Sequence, residues 1–149
     1  MDSKLSNKIS NFIKKQLIMN LITILSILVI HWIADFVFQT DKQAKGKSNN
    51  WSDLLSHTFN YSFVWWVMGL IYLAFSFKQF PIQPTSNLLP ILYFGIITFI
   101  CHTITDYFTS RLNKYLWNKG RVHDFFISIG FDQLLHYFQL FLTYKLLIS

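Results

Sequence analysis

The sequence predicts an all-α protein, a four-helix transmembrane bundle with a short N-terminal amphipathic interfacial helix. Three observations lead there. Of the 149 residues, 52% are hydrophobic and 19% aromatic, whereas only 13% are charged; a soluble surface carries about 25–35% charged residues. Four apolar runs, roughly 17–38, 54–77, 88–108 and 125–148, each have about 21 to 24 residues, enough at ~1.5 Å per residue to cross a ~30 Å hydrocarbon core. The Lys and Arg residues, 13 against 7 acidic ones for a net charge of +6, lie mostly at the ends of these runs and between them, where they face anionic headgroups.

Taken in order, the chain divides into a basic amphipathic segment, 1–16, and a transmembrane domain, 17–149. In the first segment Leu5, Ile9, Phe12, Ile13 and Leu17 recur at helical spacing against Lys4, Lys8, Lys14 and Lys15, the pattern of a helix lying on a membrane surface. No small-residue cleavage site follows the first apolar run, so that run is expected to stay as an anchor. The connections are 39–53, rich in polar residues; 78–87, with Pro81 and Pro84; and 109–124, with Arg111, Lys114, Lys119 and Arg121. Pro90 falls in the first turn of the third run, where its missing N–H costs little. Trp51 and Trp117 stand near run ends as interfacial anchors do. KGKS at 45–48 reads as a solvated loop, because the glycine and the preceding strand of a phosphate-binding loop are missing. Basic residues are almost evenly split between the two sides, which leaves orientation open. Cys101 is a lone cysteine and excludes an internal disulfide. Nucleic acid is excluded as a partner, since no basic face interleaved with exposed aromatics occurs on a soluble segment.

The acidic residues are all Asp, and three of them fall inside apolar runs. His31 and Asp35 lie toward the end of the first run, His57 near the start of the second, His102 and Asp106 toward the end of the third, and Asp132 and His136 in the first half of the fourth. With helices alternating up and down, all of these point to the same membrane face, the pairs about 5–15 Å inside the boundary. Each pair is spaced i, i+4, which stacks both side chains on one helix face. An Asp at mid-membrane costs about 2.5–3.5 kcal/mol. Several such costs require compensation, either from shared protons and hydrogen bonds or from a bound divalent cation.

The motifs H-x-x-x-D-F-x-x-Q-x-D at 31–41, L-L-x-H at 54–57, H-x-x-x-D at 102–106 and F-D-Q-x-x-H at 131–136 resemble those of an uncharacterised family of small bacterial and phage membrane proteins, known only as a domain of unknown function. The resemblance covers roughly 20–148. It implies that His31, Asp35, Gln39, Asp41, His57, His102, Asp106, Asp132, Gln133 and His136 are the family's pattern positions, that the protein resides in a bacterial inner membrane, and no activity. The basic N-terminal extension is longer than the resemblance leads one to expect.

Chemically, His nitrogens and Asp oxygens suit Zn²⁺, Mn²⁺ or Fe²⁺. The sequence therefore predicts a divalent metal as cofactor, held by His31, Asp35, His102, Asp106, Asp132 and His136. Near the boundary such an ion can activate water against an ester in a lipid-like substrate, with His57, Gln39 and Gln133 orienting substrate or shuttling a proton. The alternatives are proton or cation translocation, for which an oligomer or protein partner would have to complete the path, and a non-catalytic interaction protein whose His–Asp network only fixes helix packing.

Overall fold

The computed structural model describes residues 3–79 and 88–148. Among these there is no strand. Helix α1 spans Ser3–Trp32 and passes directly into a π-helical turn at Ile33–Val37; α2 is Asp41–Gly46, α3 Trp51–Gln79, α4 Leu88–Asn118 and α5 Val122–Leu147. Four of the helices are long and apolar enough to cross a membrane. From Ser3 onward the basic N-terminal segment is helical and continuous with the first span. The connection expected at 78–87 lies outside the described residues from position 80 onward.

Burial is the reverse of that in a water-soluble bundle. Phe75, Phe108, Leu134 and Phe138 are 61–67% exposed, whereas His31, Asp35, His57, His102, Asp106, Asp132 and His136 are between 0 and 8% exposed. An apolar solvent accounts for both, because only an apolar solvent tolerates that outer face and only the bundle interior can satisfy those polar groups.

The inner stripe of α4 runs Thr98, His102, Asp106, Ser110, and that of α5 runs Ser128, Asp132, His136, Leu140. Steps of four keep each set on one helix face. Small and polar residues on that face let the two backbones come close, which is how helices associate where lipid removes the hydrophobic drive between them. The Thr103 hydroxyl meets that of Thr58 at 2.9 Å, and Gln139 Nε2 donates to Thr98 Oγ1 at 3.2 Å, tying α4 to α3 and to α5.

Gly95 sets the approach of α3 to α4. The Trp66 indole occupies the space a Cβ there would need, and Trp66 Nε1 donates to the Leu92 carbonyl at 3.2 Å. Gly95→Ala is expected to destabilise the bundle by about 1–3 kcal/mol through overpacking. Gly130→Ala, where a Cβ meets nothing within 4 Å, should be neutral or stabilising by up to about 1 kcal/mol. Melting temperatures of the two variants in detergent check the contrast.

Two connections differ from the sequence expectation. The region 109–124 is mostly helical, with α4 continuing to Asn118 and ending in a Schellman motif. Gly120 takes φ 67°, its N–H donates to the Trp117 carbonyl, and the Arg121 N–H donates to that of Leu116, each at 3.0 Å. At 31 residues, α4 is about 46 Å long, so its last turns stand beyond the hydrocarbon core. The region 39–53 contains α2. Its Thr40 forms a capping box with Gln43, and Gln43 Nε2 donates to Ser56 Oγ on α3 at 2.9 Å. That anchor fixes where the following residues, Lys47 among them, enter the bundle.

Candidate metal centre

Asp35 reaches the centre from the π-helical turn. There the Phe38 N–H donates to the Ile33 carbonyl at 3.0 Å, an i→i+5 bond that widens one turn. Gln39 Nε2 donates to the freed Asp35 carbonyl at 3.1 Å. Gln39 thus braces the turn carrying Asp35, and its side chain also lines the pocket above.

Three atoms from three helices meet around one point. Asp35 Oδ1 lies 3.1 Å from His57 Nε2 and 3.5 Å from His102 Nε2, and the two Nε2 atoms are 3.2 Å apart. Asp106 flanks this triangle, with Oδ2 3.3 Å from His57 Nε2 and Oδ1 3.7 Å from His102 Nε2. A second trio shares His102. In it, His136 Nε2 is 3.2 Å from Asp106 Oδ1; Asp132 stands outside both trios, with Oδ1 3.4 Å from His136 Nε2. The ligand atoms of Asp35, His57 and His102, and those of His102, Asp106 and His136, are close enough to hold a metal ion. The Thr109 hydroxyl, 2.6 Å from Asp132 Oδ1, steadies the outer carboxylate.

Ring stacking orients His102. It sits between Tyr61, at 3.9 Å and 17°, and His136, at 4.1 Å and 24°. Neither its Nδ1 nor Asp35 Oδ1 has a hydrogen-bond partner, although both are buried. A buried carboxylate oxygen without a donor is costly, and the two imidazole nitrogens facing it can satisfy it only by bringing a proton or a shared cation.

His31, expected among the ligands, has both ring nitrogens in hydrogen bonds. Gln133 Nε2 points toward Asp132 Oδ2 at 3.1 Å and Asp35 Oδ2 at 3.3 Å, which leaves Gln133 Oε1 to face His31 Nε2 at 2.8 Å. A carbonyl oxygen only accepts, so His31 Nε2 carries the hydrogen and donates. In the neutral ring Nδ1 then accepts from the Tyr61 hydroxyl at 2.6 Å. Both nitrogens are taken, and His31 lies outside both trios. His57, placed beside the ligands by sequence reasoning, lies inside one of them. The reason is tertiary: α3 crosses so that His57 faces Asp35 and Asp106 together.

Of the remaining pattern positions, Asp41 is exposed in the first turn of α2 opposite Lys45, 3.9 Å away, outside the centre. Sequence reasoning missed Lys47. Far from being solvated, its side chain is only 19% exposed, and Nζ donates to Asp106 Oδ2 at 2.8 Å. Burial pulls the Lys47 ammonium toward deprotonation, but the Asp106 and Asp35 carboxylates outweigh it and hold its pKa above the ordinary lysine value. The one signal in the sequence is the capping box Thr40-x-x-Gln43, which announces a helix where a loop was expected.

A family model described as "Protein of unknown function (DUF3307)" matches residues 21–149, a span that contains every residue of the centre. No curated protein and no solved structure matches the chain.

Proposed function

This chain belongs to the family described as protein of unknown function (DUF3307), and we propose from its buried side chains that it binds a divalent metal within the membrane and hydrolyses an ester in a lipid-like substrate. The observation that carries the metal is the triangle of Asp35 Oδ1, His57 Nε2 and His102 Nε2, with sides of 3.1, 3.2 and 3.5 Å. An ion about 2.0–2.2 Å from each of four tetrahedral donors sets those donors about 3.4 Å apart. The triangle has the dimensions of one face of such a site, and Asp106 flanks it, with Oδ2 3.3 Å from His57 Nε2 and Oδ1 3.7 Å from His102 Nε2.

Charge supports the same reading. Asp35, Asp106 and Asp132 contribute −3 and Lys47 contributes +1, so with neutral imidazoles the buried cluster sums to −2. One divalent cation neutralises it. A mixed imidazole and carboxylate set suits Zn²⁺, Mn²⁺ or Fe²⁺.

Hydrolysis rests on position. The cluster opens toward a pocket of about 500 Å³ whose walls include Asp35, Gln39, Asp132 and Gln133. An ion held by Asp35, His57 and His102 would make water nucleophilic near neutral pH and polarise a substrate oxygen. Gln133, already holding Asp35, Asp132 and His31, orders the outer edge of the centre, and Gln39 keeps Asp35 aimed inward. Passage of protons or cations is disfavoured by the opposite halves of the helices. Residues 20–30, 62–77, 88–101 and 137–144 contain no Asp, Glu, His, Lys or Arg.

Protein purified in mild detergent without a histidine-rich tag is expected to carry near-stoichiometric Zn, Mn or Fe by elemental analysis. Chelation should lower its melting temperature, since an ion that binds only the folded state stabilises it. Native protein with metal at background level would defeat the metal reading, and pH-dependent flux in liposomes would favour transport instead.

A further inference from the structure

We propose that the pocket above the His/Asp cluster is built for a phosphate-bearing ligand, so that the ester hydrolysed there is a phosphate ester. This rests on the metal-dependent hydrolysis read above and narrows its substrate. The pocket, about 500 Å³, takes Lys45, Lys47 and Lys114 into its walls and reaches Asp35 and Asp132 of the cluster. A volume in this range accommodates a small organic ligand rather than only a bare ion.

Two observations independent of the lysines point to a missing ligand. Ser110 Oγ and Asn113 Oδ1 are buried, line this pocket, and have no hydrogen-bond partner. They stand three residues apart on α4, hence on one face. Buried polar atoms are rarely left unpaired. The Ser110 hydroxyl can donate to a phosphate oxygen, and Asn113 can offer its amide to the ligand once its side chain is turned.

The cations point the same way. On this membrane face Arg121 is paired with Asp124 at 2.6 Å and Lys42 with Asp53 at 3.6 Å. Lys114 has no carboxylate partner among the described residues; it donates to the neutral Asn49 Oδ1. Lys45 reaches Asp41 only at 3.9 Å, with both side chains exposed. An acyl ester needs no such rim. A phosphate does, because its non-bridging oxygens carry charge that the lysines above and a divalent ion below stabilise from both sides. In the step itself a water oxygen bonds to phosphorus as the P–O ester bond breaks, and a water proton ends on the departing alkoxide, giving an alcohol and a phosphate.

The test is titration calorimetry of the full chain in nonionic detergent, with metal content measured on the same samples. Three probes are used: dihexanoyl phosphatidic acid, inorganic phosphate and neutral dihexanoylglycerol. Phosphatidic acid is expected to bind, and the Lys45→Gln/Lys114→Gln double variant to bind it at least about 10-fold more weakly with unchanged metal content. Lys114→Glu serves as a second variant with the same expected direction. Displacement by inorganic phosphate assigns a soluble phosphate ester as the source, whereas lipid binding without it assigns a headgroup; either supports the proposal. Equal binding of neutral dihexanoylglycerol, no binding of either phosphate probe by metal-loaded protein, or unchanged binding in both lysine variants overturns it. Metal-free native protein that still binds phosphate through these lysines overturns the metal reading and leaves the pocket.

Discussion

Asp106→Ala is expected to reduce bound metal from near one equivalent to background and to cost about 3–5 kcal/mol of stability. The size follows from how much converges on this carboxylate. Lys47 Nζ donates to Oδ2 at 2.8 Å, His136 Nε2 lies 3.2 Å from Oδ1, and the Nε2 atoms of His57 and His102 are within 3.3 and 3.7 Å. Its removal strands a buried ammonium, which is costlier than the loss of one good contact. Asp106→Asn preserves volume while removing the charge and separates the two effects. It should recover part of the stability but not the metal. Elemental analysis and thermal unfolding in detergent measure both. Stoichiometric metal in Asp106→Ala would refute the assignment of this cluster as the metal centre.

The second large effect is a contrast between two histidines that sequence alone treats as equals. His102 contributes a donor to both trios, so His102→Ala is expected to abolish metal retention. His31 has its ring committed to Tyr61 and Gln133, and acts by holding Gln133 against Asp35 and Asp132. His31→Ala should therefore weaken metal affinity by about 10- to 100-fold, the usual cost of an outer positioning residue, while metal still binds at saturation. Competition against a graded series of chelators gives both affinities. Equal losses in the two variants would place His31 among the ligands after all.

Why the sequence separated these roles only partly is a matter of what local patterns contain. Length and hydropathy are local properties, so the four spans could be read directly, as could the i, i+4 pairs His31/Asp35, His102/Asp106 and Asp132/His136. The shared depth of these pairs followed from alternating helix direction. Connections were harder. The 39–53 and 109–124 stretches are polar because they meet water, and polarity alone does not reveal whether a chain in water is helical. The Thr40/Gln43 capping box and Gly120 were the available cues.

By itself, the sequence determined that the chain lives in an apolar solvent and that ionisable side chains gather near one face, because the cost of burying a charge in lipid makes unpartnered positions untenable. Only the tertiary structure decided which atoms meet. The π-helical turn aims Asp35, the crossing of α3 brings His57 into contact with Asp35 and Asp106, the Gln133 hydrogen bonds withdraw His31, and the anchored α2 delivers Lys47 to Asp106. The last three depend on rotations and crossing angles set by packing between separate segments of the chain, where a shift of a few ångströms exchanges a ligand for a neighbour.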